Sequence, residues 1–176
     1  LPFPKGFFSY VYSLGVLQHT PDVGKAFAAL PPMVAGGGRL CVDFYQKSWK
    51  SLMLPKYWVR PFTKRMSKAR LLAALELLVP KLLTLSQAFG GVPLVGGGLR
   101  RLVPVANYVG ILPLSERQQV EWSLLDTFDW LSPEFDNPQT PKRVAGWLHN
   151  AGLEKIEVLK AGHLVGRGTV PNASRH

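Results

Sequence analysis

The sequence of 176 residues carries a formal net charge of +10, one cysteine and 47% hydrophobic residues. Such a length fits one domain or most of one, and the apolar fraction excludes a disordered chain. The lone Cys41 excludes an internal disulfide framework and a cysteine-based zinc cluster; His19, His149, His163 and His176 show no ligand spacing, so no metal is expected.

Phe8 to Leu17 (FSYVYSLGVL) is apolar at nearly every position, the pattern of a strand buried on both faces of a parallel sheet. Thr20-Pro21-Asp22 predicts a turn into a helix capped by Asp22, with Phe27, Leu30 and Val34 at helical spacing and Pro31-Pro32 ending it. Gly36-Gly37-Gly38 reads as a turn, and Arg39 to Tyr45 as a second strand. Strand, helix, glycine turn and strand form a βαβ unit, hence an α/β class. Cys41 falls inside the second strand and is expected to be a core residue, not a nucleophile.

The middle of the chain differs. Lys64 to Leu85 predicts a helix with Leu71, Leu72, Leu75, Leu78 and Leu82 along one face, kinked or split at Pro80. Leu82 to Leu99 lacks charge for 18 residues. Its five glycines and Pro93 argue against a membrane span and for a hydrophobic lid or interfacial segment, with Gly96-Gly97-Gly98 as a flexible connector. Charge is segregated: Lys47 to Lys81 holds nine Lys/Arg and one acid, whereas Glu116 to Asp136 holds six acids and one base. A basic surface of this kind suits anionic lipid, nucleic acid or an acidic substrate, or is simply solvated. Nucleic acid is not expected, because neither a helix-turn-helix pattern nor an RNP-like aromatic strand is present.

Thr140-Pro141 predicts an N-cap and first helical residue, followed by an apolar face of Val144, Trp147, Leu148 and Ala151, closed by Gly152. Lys155 to Leu159 alternates as a strand, Ala161-Gly162 turns, and His163 to Val170 returns as a hairpin partner. Residues 172–176 are expected to be a disordered tail.

Taken in this order, LPFPKGFFSYVYSLGVLQHTPDVGKAFAAL, a glycine turn and GRLCVDFY resemble the second half of a class I S-adenosylmethionine-dependent methyltransferase, with VYSLGVLQHTPD the most specific part. FDNPQTPKRVAGWLHNAGLEKIEVLKAGHLVGRG resembles the last helix and closing strands of that family, including the hairpin that places an antiparallel strand in the sheet. The resemblance implies a partial Rossmann-like sheet equivalent to strands 4, 5, 6 and 7, built from 1–46 and 122–171, with 47–121 as a mostly helical, basic and apolar insertion covering the substrate. The Gly-rich loop of the family's first half is absent, Pro31-Pro32-Met33-Val34-Ala35-Gly36 replaces its usual Leu-Lys-Pro-Gly-Gly, and Gln18 stands where a histidine is common.

Several roles follow from the resemblance. Ser13, Leu14, Gly15 and Gln18 would line the methionyl end of S-adenosyl-L-methionine. His19 would be the catalytic base for an acceptor hydroxyl, since an imidazole titrates near neutral pH. Trp58, Arg60, Tyr108 and Trp130 would line the pocket of a small-molecule or lipid-like acceptor. The Asp/Asn-Pro-Pro-aromatic tetrapeptide of amino-methylating nucleic-acid enzymes is missing after the first strand. These 176 residues, expected to lack the N-terminal half of the domain, should be inactive alone and bind little donor. No secretory signal opens the sequence, so the expected location is the cytoplasm, with peripheral membrane contact through 47–101. The rival expectation is a non-enzymatic basic module that docks on anionic membrane or on a partner protein.

Overall fold

In the computed structural model, which describes residues 2–48 and 53–172, the elements are β1 (Phe8–Ser13), α1 (Val23–Ala28), β2 (Val34–Phe44), α2 (Pro55–Thr63), α3 (Lys68–Gly90), α4 (Gly96–Leu99), α5 (Glu116–Leu131), α6 (Pro141–Asn150), β3 (Glu154–Ala161) and β4 (His163–Thr169). The chain divides into a sheet unit, Leu1–Ser48 with Phe135–His176, and a helical unit, Trp49–Glu134. The domain border expected at 121/122 falls inside the continuous helix α5. The expected tail lies outside the described residues except for Asn172.

The sheet unit is α/β with a mixed sheet in the order β1-β2-β4-β3. β1 and β2 are parallel, β4 is antiparallel to both β2 and β3, and the last two strands form the hairpin expected from their alternation. Alternation on β2 decides the layers. Leu40, Val42 and Phe44 are fully buried and pack with Phe27, Val144, Leu148 and Leu164. Each such side chain contributes about 1.5–3 kcal/mol of transfer free energy. Arg39, Cys41 and Asp43 alternate onto the other face. Cys41 is therefore half-buried rather than a core residue.

Two glycines make the close approaches possible. A methyl on Gly166 would lie 2.5 Å from Cγ1 of Val144, so α6 sits directly on β4. One on Gly38 would lie 2.8 Å from the carbonyl oxygens of both Ala35 and Ser9. The Gly36-Gly37-Gly38 run is not a separate turn. It lies within β2, where the pairing jumps from Phe8↔Val34 to Tyr10↔Arg39, so β2 bulges while β1 advances two residues.

The first strand also differs from expectation. It ends at Ser13, short of the expected Leu17, and is followed by a 3-10 turn over Leu17–His19 at the edge of the sheet. Tyr10 and Tyr12 are 66% and 75% exposed, so its apolar run is not buried on both faces. That run matches a strand interior because its β-branched and aromatic residues suit any pleated surface; only the neighbouring strand could show that one side is open.

The helix ends follow the predicted chemistry. Asp22 caps α1 by accepting from the Lys25 amide, and Thr140 caps α6 by accepting from the Arg143 amide. At the other end of α6, Gly152 has φ +72°, its N–H donates to the His149 carbonyl, and the Leu153 N–H donates to the Leu148 carbonyl. That pair of bonds closes the helix and turns Leu153 into the core.

The helical unit has its own core of Leu71, Leu75, Val79, Leu83, Val103, Val105 and Leu131. α3 runs unbroken through Pro80 to Gly90. Its buried stripe keeps Leu71 and Leu75 of the expected face and continues through Val79 and Leu83, with Leu82 packed beside it, while Leu72 and Leu78 are exposed. Burial of that stripe along the helix offsets the one backbone bond that proline removes. Among the described residues α3 is long and apolar enough to cross a bilayer; 28% of its most apolar stretch is buried, and the stripe of Leu71, Leu75, Val79 and Leu83 packs in the core of the helical unit. Gly96-Gly97-Gly98 is a helical turn rather than a connector; a methyl on Gly96 would lie 2.8 Å from the Phe89 carbonyl oxygen.

Candidate functional site at the exits of the parallel strands

In open α/β sheets, ligands bind beyond the carboxyl ends of the strands. Here β1 exits through Ser13, Leu14 and Gly15 into the turn that carries Gln18 and His19. Gly15 has φ +69°, a left-handed conformation that disfavours any side chain, and no atom lies within 4 Å of where its Cβ would be. The glycine is required by conformation, and the space beside it is open. The Gly15 N–H donates to Oδ1 of Asp43 at 2.5 Å. The other oxygen of Asp43 accepts from Nδ1–H of His163 at 3.1 Å. Asp43 thus ties the exit of β1 to the start of β4, which lies at the same end of the sheet because β4 is antiparallel.

His19 is held from the opposite side. Its Nδ1 lies 2.9 Å from the Phe135 carbonyl, which can only accept, so Nδ1 carries the proton and Nε2 is the basic nitrogen of the neutral ring. The Tyr45 ring meets His19 and His163 edge-on, with centroids 5.9 and 5.3 Å away. The segment after Phe135 secures this rim. The Asn137 amide N–H donates to the Gln18 carbonyl, Asn137 Nδ2 donates to the Thr20 carbonyl, and the Gln139 N–H donates to the Tyr45 carbonyl. Gln18 is fully buried, and among the described residues neither its Nε2 nor its Oε1 has a hydrogen-bond partner. A buried amide left this way costs free energy and marks a place for a polar group.

Ser13, Leu14, Gly15, Gln18 and His19 are therefore brought together. Asp43, Tyr45 and His163 join them and were missed as site residues. Asp43 had a signal, an acid within the apolar strand RLCVDFY. His163 had none, because its position depends on the hairpin folding back beside β2.

The other four candidates lie in the helical unit. Arg60 is 8% exposed and donates to the carbonyls of Trp130 at 2.7 Å and Pro133 at 3.0 Å. Trp130 packs against the core of that unit. The Tyr108 hydroxyl donates to Oδ2 of Asp126, with the Trp122 ring edge-on at 6.3 Å. Trp58 is 59% exposed. An open cleft of about 570 Å³ in the sheet unit is lined by Tyr10, Tyr12, Cys41, Lys155, Glu157 and Arg167, on the face opposite the core.

No protein family matches the chain, and neither does any curated protein. Among solved structures, the chain is similar to an O-methyltransferase family protein from Burkholderia thailandensis, at 11% identity and a TM-score of 0.44 over 94% of this chain. The chain spans 31% of the length of that structure.

Cys41 and Asp126 have displaced titrations. Burial pushes the Cys41 thiol up, Arg167 pulls it partly back, and Asp43 adds to the rise. A thiol held protonated is a poor nucleophile. Cys41 is expected to react with iodoacetamide at neutral pH more slowly than free glutathione, as followed by intact mass; alkylation at the free-thiol rate would contradict this.

Burial, and next the Asp129 carboxylate, push the Asp126 carboxyl up. The folded chain therefore keeps this proton to higher pH than the unfolded chain. Stability from protonated Asp126 is present below the ordinary aspartate range and is lost as pH rises through the raised value. Urea midpoints of the helical unit should fall over that rise, and Asp126→Asn should flatten the slope.

Proposed function

We propose that the chain is the carboxy-terminal half of a class I S-adenosylmethionine-dependent methyltransferase domain whose acceptor is a small or lipid-like molecule. The observation that carries this reading is the strand arrangement: a parallel pair followed by a hairpin that inserts an antiparallel strand, joined to the VYSLGVLQHTPD motif at the exit of β1. The partial Rossmann-like sheet and its equivalence to strands 4 to 7 belong to this proposal.

The residues at the rim suit the donor. The open space beside Gly15 would admit its methionyl end, with Ser13 and Leu14 beside it and Gln18 buried beneath the turn. When bound, S-adenosylmethionine supplies an electrophilic methyl group on a sulfonium. His19 Nε2 would take the proton of an acceptor hydroxyl as the oxygen–carbon bond forms and the sulfur–methyl bond breaks, its electron pair staying on the departing thioether sulfur. Asp43 and His163 would hold the Gly15 turn in place. Contacts to the donor's ribose come, in this reading, from chain outside these residues.

Calorimetry with S-adenosylmethionine tests the reading on two proteins: the 176 residues alone and the same chain extended upstream by a complete half-domain. Micromolar binding by the extended chain alone is expected, with Gly15→Val weakening it at least tenfold. Absence of binding by a folded extended chain would overturn the proposal and favour the non-enzymatic module.

A further inference from the structure

α2 is built inside out. Its buried positions are Pro55, Arg60 and Thr63, and its exposed ones include Trp58 and Phe62, at 59% and 70%. Arg60 and Thr63 are accommodated because the end of α5 offers its unpaired carbonyls. Arg60 donates to Trp130 and Pro133, and the Thr63 hydroxyl donates to Leu131 at 3.0 Å. The helix therefore spends its polar residues inward and turns its two large aromatic side chains, one turn apart, to the outside. Met53 and Leu54, at the helix start, are 58% and 37% exposed and extend the apolar face. For a surface helix in water the order should be the reverse.

What surrounds this apolar face limits what can cover it. Residues 53–70 contain six Lys/Arg and no acid. Setting aside inward-facing Arg60, the bases are Lys56, Lys64, Arg65, Lys68 and Arg70; the last four are exposed. Exposed aromatic residues on a short helix, followed at once by the exposed bases Lys64, Arg65 and Arg70, match the boundary of an anionic bilayer, where an indole sits at the headgroup level and lysine and arginine reach the lipid phosphates. A protein partner would have to present an apolar groove with an acidic rim. A bilayer offers both layers at once.

We propose that α2 docks the helical unit peripherally on anionic membrane, with Trp58 and Phe62 entering the headgroup boundary and Lys64, Arg65 and Arg70, which follow the helix, contacting lipid phosphates. The proposal goes beyond methyl transfer and does not require donor binding.

Co-sedimentation of the 176-residue chain with phosphatidylcholine vesicles, with and without one-quarter phosphatidylglycerol, tests it. Binding is expected only with the anionic lipid, and high salt should weaken it. Each base near such a surface contributes roughly a factor of five, so K64Q/R65Q should weaken binding about 25-fold. The matched pair K142Q/K155Q in the sheet unit should stay within about twofold of wild type. W58S/F62S should weaken binding at least tenfold while leaving circular dichroism unchanged, since both side chains are exposed. Equal losses for the two lysine/arginine pairs would reduce the effect to overall charge and overturn the proposal. So would full binding by a folded W58S/F62S, no binding by the folded wild type, or a wild-type dimer that W58S/F62S dissociates without vesicle binding.

Discussion

Leu148→Ala should lower the stability of the sheet unit by about 2–5 kcal/mol, the range for a buried leucine whose surroundings relax only partly. Leu148 is fully buried at the junction of α6 with the sheet. Its Cδ1 lies 3.1 Å from the Cβ position of Gly166, so the helix rests on a stretch of β4 that has no side chain to swing into the gap. Val144 on the same helix face is β-branched and stiff, which limits repacking further. The upper part of the range is therefore expected. Hydrogen exchange read by peptide locates the effect: β2, β4 and α6 should exchange faster, while α3 and α5 stay unchanged. A loss below about 1 kcal/mol would mean that α6 does not seat on Gly166 as described.

Arg60→Leu should destabilise the helical unit by about 3 kcal/mol or more. Two hydrogen bonds from a charged donor are lost, each worth about 1.5–3 kcal/mol, and the carbonyls of Trp130 and Pro133 lose their partner. Both carbonyls lie at or just past the end of α5, where backbone groups have no intrahelical bond to fall back on. Arg60→Lys should rescue little, because one ammonium cannot reproduce a planar fork that reaches two acceptors. Thermal melts and peptide-level exchange over α2 and α5 provide the readout. The outcome also separates two roles for this residue. A change confined to acceptor affinity, with unaltered melting, would place Arg60 in a binding pocket and not in the frame of the unit.

Much of the sheet unit was legible in the residues. Asp22 and Thr140 announced helix starts, Gly152 a helix end and Gly162 a hairpin turn, because each answers a local demand for a side-chain acceptor or a left-handed backbone. The rim was legible in part. Ser13, Gly15, Gln18 and His19 lie close along the chain, so a motif could name them together. Asp43 and His163 lie 120 residues apart and meet only through strand pairing.

Sequence alone determined the α/β class, the helix limits set by caps, the hairpin and the segregation of charge, since these depend on neighbours within a few positions. Tertiary structure decided which side of each element is covered. The apolar run of β1 could not reveal that Tyr10 and Tyr12 would be exposed. Pro80 could not reveal that Leu71, Leu75, Val79 and Leu83 would be buried on both sides of it. Nor could the segment around Trp58 and Phe62 reveal that α2 would turn its aromatic residues outward, because that depends on the carbonyls at the end of α5, some 70 residues away, taking Arg60 and Thr63. Burial is a property of what arrives from elsewhere in the chain, and periodicity reports only what is available to be buried.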